Sequence, residues 1–158
     1  DTGLSVARTL TAKPVMGIGQ AAYHLATMMC NRFNVLTTLS VSIPVIKKNI
    51  STSGFKDICD GVYASGVPVL DLENQPELAR QKIGAHIKDI SIKFPDNAIV
   101  LGCAGMTNLW NKLQHEFETR LVDPVAAAAK LIPVIIICMI VSQLTKKISI
   151  SFWPMKLI

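Results

Sequence analysis

From Lys13 onward, short apolar runs alternate with longer amphipathic stretches, each joined by a few turn residues. That alternation predicts βα units building a parallel sheet. Val15-Met16 reads as the end of a strand, Gly17-Ile18-Gly19 as a tight turn, and 20–30 as a helix with Ala21, Leu25, Met28 and Met29 at its apolar positions. Residues 33–37 are short and rich in β-formers, so they form the next strand. Pro44 suits the first turn of a helix near 43–50, and Gly54 ends that region. Two less regular strands follow at 61–64 and 67–70, with Gly66 and Pro68 breaking the register between them. Within 77–94, Leu78, Ile83, His86, Ile87 and Ile90 recur at helical spacing, and that helix stops before Pro95. Residues 98–101 form the clearest buried strand, closed by Gly102-Cys103-Ala104-Gly105 and followed by a helix over 107–118. Leu121-Val122 is a short last strand. Asp123 and Pro124 then stand as N-cap and first residue of a final helix running through four alanines into 131–144.

The chain has 158 residues, enough for one domain or a piece of a larger protein, and half of them are hydrophobic against 17% charged. A disordered tail is excluded. The net charge of +5 is scattered, densest only at Lys47-Lys48 and Lys146-Lys147, so nucleic acid is not an expected partner. Cysteines 30, 59, 103 and 138 form no CxxC pair, and His24, His86 and His115 stand far apart. Neither a zinc site nor a disulfide framework is expected. The N-terminus shows no basic segment leading into an apolar run, which makes a reduced, cytoplasmic protein the default. Asp1 stands where a methionine would begin a chain, and the opening reads as though residues upstream are missing.

In open α/β sheets ligands bind at the carboxyl ends of strands, so the strand-to-helix turns are where chemistry belongs. Four stand out: Gly17-Ile18-Gly19-Gln20, Thr37-Thr38, Gly102-Cys103-Ala104-Gly105 and Asp123-Pro124. Cys103 ends a buried strand, flanked by small residues that let a ligand approach, ahead of a helix whose dipole favours a thiolate. The plainer reading is a small apolar residue filling a tight turn. Thr37 and Thr38 offer hydroxyls and N–H groups to a carboxylate or amide ligand, or else cap the next helix. His24 falls one helical turn after Gln20 and either faces the same cleft or serves its own helix. Cys30 and Cys138 read as core residues of apolar helices, and Cys59 as a loop residue. Residues 17–22 also fit a GxGxxA dinucleotide fingerprint. The acidic residue expected about twenty positions on is replaced by Thr37-Thr38-Leu39-Ser40.

These turns, in this order, resemble the hydantoin and allantoin racemase branch of the aspartate/glutamate racemase superfamily. The residues that carry the resemblance are Asp1-Thr2-Gly3-Leu4, Pro14 to Gly19 with Ala21-Ala22, Phe33 to Leu39, Gly66 to Leu70, Val100 to Met106 and Val122 to Ala127. It covers most of the chain up to about Lys130. The resemblance implies two α/β half-domains related by a pseudo-dyad, with the active site in the cleft between them and one cysteine from each. One thiolate removes the proton from the stereogenic carbon while the other thiol protonates the opposite face, with no metal, pyridoxal phosphate or other cofactor. The chemistry is sound, because inversion needs a base and an acid on opposite sides and a thiol serves as either.

Cys103 matches the second family cysteine, and the first would lie three residues before Asp1. By that alignment 1–12 is the end of the first half-domain, 13–122 the second α/β half-domain, and 123–158 a C-terminal helix and tail returning to the missing half. The implied site is Cys103 as acid/base with Gly102, Ala104 and Gly105 beside it, Thr37 and Thr38 as substrate contacts, and Gly17 and Gly19 shaping the first turn. Gln20 stands where the family often has Glu. The implied substrate is a small molecule, a five-membered cyclic ureide or an amino-acid-like compound. With one thiol, the chain alone is expected to be inactive as a racemase. A non-catalytic ligand-binding relative and a dinucleotide-binding domain are the alternatives. Family members commonly self-associate, so a homo-oligomer is among the expectations, although no stretch here fixes an interface. The run 131–141 is continuously apolar, but eleven residues fall short of the roughly 20 a spanning helix needs, so no membrane partner is expected. A helix buried on the missing half-domain accounts for it instead.

Overall fold

β1 (Phe33–Thr37) is buried at all five positions, the mark of a central strand covered on both faces. Its side chains alternate, Phe33 and Val35 entering one hydrophobic cluster and Leu36 the other. β3 (Ala98–Leu101) repeats this, with Ala98 and Val100 on the first side and Ile99 and Leu101 on the second. β2 (Cys59–Ala64) and β4 (Leu121–Val122) complete a parallel sheet of order β2-β1-β3-β4. The computed structural model describes the backbone of residues 1–151 and the side chains of 1–143. The end of the expected C-terminal tail, 152–158, lies outside the described residues.

After the short α1 (Leu4–Thr9), α2 (Ile18–Met29) and α3 (Ile43–Thr52) cover the first face through Ala22, Ala26, Ile46 and Ile50. α4 (Asp71–Asn74), α5 (Pro76–Lys93) and α6 (Thr107–Glu116) cover the second with Leu72, Ile83, Ile87, Leu109 and Leu113. α7 (Pro124–Ser151) returns to pack against α2. β1 therefore leads to a helix on one face and β3 to a helix on the other. That reversal makes the carboxyl edge between β1 and β3 the topological switch point of the sheet.

Four local expectations are corrected. Val15-Met16 is not a strand, because the Val15 carbonyl accepts from Arg8 Nε at 3.0 Å instead of joining a ladder. Gly17-Ile18-Gly19 is no tight turn: Gly17 caps α2, which starts at Ile18. Residues 67–70 form a turn into α4, since Gly66 takes a left-handed φ of 71° and Asp71 N–H donates back to the Pro68 carbonyl. Cys59 opens β2 and is not in a loop, and burial, first among several influences, pushes its thiol pKa up.

α7 corrects two further expectations. Its apolar stretch is not limited to eleven residues: 124–143 is long and apolar enough, by length and composition, to cross a membrane, with a mean hydropathy of 2.5. Only 6% of that stretch is buried, and Cys138, expected in the core, is exposed.

At the opposite edge of the sheet Asp60 accepts from Arg32 Nε at 2.9 Å and from Asn97 Nδ2 at 2.7 Å. The Arg32 bond, with help from Asn97, holds the Asp60 carboxyl below the ordinary range. A carboxyl depressed in the folded state stabilises fully above the unfolded value of about 4 and loses that contribution as pH falls through its lower folded value. Thermal melts of Asp60→Asn are therefore expected to depend less on pH than wild type below about pH 4. Parallel curves would show that Asp60 is not coupled to folding.

Candidate active site

The switch point is built by backbone first. Gly102 N–H donates to the Leu36 carbonyl at 2.7 Å, and Thr37 Oγ1 donates to the Gly102 carbonyl at 3.4 Å, locking the ends of β1 and β3 together. A Cβ at Gly102 would stand 2.9 Å from Val35 Cγ1 and 3.1 Å from Thr37 Cβ, so glycine is required for this approach. Ser65 and Gly66 donate to the Thr37 and Thr38 carbonyls at 2.9 and 2.8 Å, extending the edge toward β2. Thr37 and Thr38 are buried, at 1% and 3% exposure. On the far side Asp123 accepts from Thr107 Oγ1 at 2.9 Å and from Val125 N–H at 3.0 Å, capping α7 as expected and tying it to α6.

Cys103 follows directly, half-buried and extended, with its carbonyl accepting from Met106 N–H at 3.0 Å. A three-residue turn, Ala104–Met106, separates it from α6, so the thiol stands a turn ahead of that helix and not in its first turn. Gly105 lies under it: a Cβ there would meet Leu72 Cδ1 at 2.9 Å and Cys103 Sγ at 3.7 Å. The other cysteines are elsewhere. Cys30 caps the end of α2, Cys59 sits at the amino end of β2, and Cys138 is on α7.

The glycines of the first turn serve an internal anion. Asp1 accepts from Gly19 N–H at 2.9 Å and from Gln20 N–H at 2.7 Å, satisfying the exposed amides of α2. A Cβ on Gly17 would collide with the Asp1 carboxylate, and one on Gly19 would stand 3.0 Å from it. This is the physical reason the GxGxxA spacing is not a dinucleotide site here: the position a pyrophosphate would take is filled, and residues 10–17 leading into it form no strand. His24 Nδ1 lies 2.8 Å from the Gln20 carbonyl and its ring meets Phe55 edge-on at 4.8 Å, so it serves its helix.

Gly19, Gly102 and Ala104 line one cavity of about 80 Å³ with Asp1, Tyr23, Ile46 and Asn49. Cys103, Thr37, Thr38, Gly105 and Gly17 are not on its wall. A second concavity of about 350 Å³ adjoins it through Asp1 and Asn49 and adds Arg8, Gln20 and Lys48. Asp1, Tyr23 and Asn49 had not been singled out as site residues. The available signal was helical spacing: Tyr23 follows Gly19 by four and Asn49 follows Ile46 by three, so each pair shares a face. Burial, aided by the nearby Cys59, pushes the Tyr23 hydroxyl up to about 12, which keeps it protonated. Among the described residues no group of three or more His, Cys, Asp or Glu is placed to hold a metal ion.

Residues 1–132 match the family described as Asp/Glu/hydantoin racemase. The chain belongs to that family. It is 40% identical over 131 residues to a hydantoin racemase from Rhizobium meliloti, covering 83% of this chain and 54% of the relative. A hydantoin racemase from Pseudomonas sp. strain NS671 is 32% identical over 130 residues, 82% of this chain and 52% of the relative. An allantoin racemase from Klebsiella pneumoniae superposes with a TM-score of 0.78 at 36% identity, over 86% of this chain and 56% of that one. These matches place the chain in the hydantoin/allantoin branch. The chain spans about half the length of the relatives it matches.

Proposed function

We propose that this racemase-family chain supplies one side of a cofactor-independent, two-thiol site acting on a hydantoin- or allantoin-type substrate. The observation that carries the reading is Cys103 at the topological switch point, directly after β3 and beside the glycine that lets β1 and β3 close. Cys103 acts as base or acid on one face of the stereogenic carbon, with Gly102, Ala104 and Gly105 giving access and the Thr37-Thr38 edge forming the adjoining wall. The amides of α2, already drawn to the Asp1 carboxylate, fix the Gly17–Gly19 side of the cleft.

None of the other three cysteines sits on the carboxyl edge of the sheet. The thiol for the opposite face is therefore assigned to the first half-domain, of which 1–12 is the end, with 13–122 forming the second. The chemistry uses free thiols, which a reducing compartment such as the cytoplasm preserves.

Incubation of each hydantoin enantiomer with the 158-residue chain in D₂O tests this. Exchange of the stereogenic proton is expected in one enantiomer only, with retention, because a single thiol serves a single face. Racemisation by this chain would overturn the assignment of the second thiol elsewhere. Saturable binding without exchange in either enantiomer would show a ligand-binding relative instead.

A further inference from the structure

α7 changes character along its length. Ala127 is buried and Leu131 still packs on the first hydrophobic cluster, but every residue from 133 to 143 is exposed. Val134, Ile135, Ile136, Ile137, Met139 and Ile140 lie in that run, between 37% and 58% exposed. They occupy all sides of the helix, whereas a helix that docks on a protein surface carries an apolar stripe with a polar back. The family match ends at residue 132, at the start of this run. Residues 131–145 carry no charge and lie between Lys130 and Lys146-Lys147. At 1.5 Å per residue they extend about 22 Å. A lysine before the run and a lysine pair after it in the sequence are the pattern of an apolar segment ending at phosphate headgroups, and modest mismatch to the roughly 30 Å of a bilayer's hydrocarbon is accommodated by local thinning. Pro133, inside the helix, is a residue that membrane helices tolerate.

We propose that α7 from residue 131 onward inserts into a lipid bilayer and anchors the domain at its surface, with Lys130 and Lys146-Lys147 meeting the headgroups. All-round apolarity favours acyl chains over a second copy of this chain, which would cover one side only.

Cys138, exposed in the middle of the run, is the reporter. The full chain is mixed with phosphatidylcholine vesicles, with and without phosphatidylglycerol, and labelled with a charged, membrane-impermeant maleimide, each cysteine being followed by peptide mapping. The reagent needs thiolate, which does not form in hydrocarbon, so labelling of Cys138 is expected to slow at least about tenfold with vesicles while Cys103 is unchanged. The chain is also expected to float with the vesicles, more so with the anionic lipid. The double variant I136K/I140K, altered beyond the packed core, should restore labelling and abolish flotation. Unchanged Cys138 labelling and no flotation with vesicles would overturn the proposal. So would protection that rises with protein concentration in the absence of lipid, which would assign the run to a second copy. The outcome is independent of the racemase reading.

Discussion

Replacing Cys103 by serine is expected to slow deuterium exchange at the stereogenic carbon of the reactive hydantoin enantiomer by about 10²–10⁴-fold, the contribution of a positioned acid or base. Serine keeps the shape but raises the pKa far above that of a thiol, so it neither ionises to take the proton nor returns one readily. Stability should hardly change. Cys103 is half-buried in an extended turn residue whose hydrogen bond to Met106 runs through its backbone carbonyl. Exchange rate and melting temperature thus separate a chemical role from a packing role. Cys138→Ser, on the exposed part of α7, should leave exchange at the wild-type level. Equal exchange by Cys103→Ser and wild type would remove Cys103 from the site and return it to the plainer reading of a small residue in a tight turn.

The strands that follow Arg32, Asn97 and Arg120 were legible in the sequence residue for residue. β1, β3 and β4 are buried at every position, which makes them short runs dominated by apolar and β-forming residues, although β1 also buries Asn34 and Thr37. Val15-Met16 and 67–70 have the same local composition, but a strand exists only where another offers it a ladder. Arg8 took the Val15 carbonyl, and Gly66 turned the chain. Such outcomes depend on residues distant in sequence. The single helix over the alanines and the Ile/Val run was legible too, but counting only the uninterrupted run 131–141 left 124–129 out of its apolar length.

For the site, Cys103 and the glycines beside it were readable because small residues after a buried strand mark a place where something approaches the backbone. What the sequence could not display was the strand order. Only the order β2-β1-β3-β4 puts Thr37-Thr38 next to Gly102-Cys103 across the switch point. The Asp1 cap on α2 spans eighteen residues between Asp1 and Gly19, beyond any helical or strand period, and so left no periodic trace. Its consequence resembles a phosphate fingerprint, since an internal carboxylate and a bound pyrophosphate ask the same of a helix start: small residues and open amides.

Phe33→Ala should be among the most destabilising single changes in the chain. Phe33 is fully buried on β1, stacked on Tyr23 with ring centroids 5.4 Å apart and meeting Phe55 at 6.2 Å with a 72° tilt. Tyr23 and Phe55 close the triangle at 5.9 Å. Truncating a buried Phe costs about 3–5 kcal/mol, a large share of the 5–15 kcal/mol that holds a domain together, and should lower Tm by roughly 6–20 °C. The three rings join α2, β1 and the segment after α3, so their energies should not add. A double-mutant cycle with Phe55→Ala should show coupling of about 0.5–1.5 kcal/mol. The damage should also reach the site, because Tyr23 belongs to α2, lines the cavity beside Asp1 and Gly102, and stands over Gly19. Loosening α2 should therefore weaken substrate binding in whatever fraction of Phe33→Ala remains folded. A Phe33→Ala melt within about 2 °C of wild type would imply a loss near or below 1 kcal/mol, and would show that the aromatic triangle does not hold α2 against the sheet.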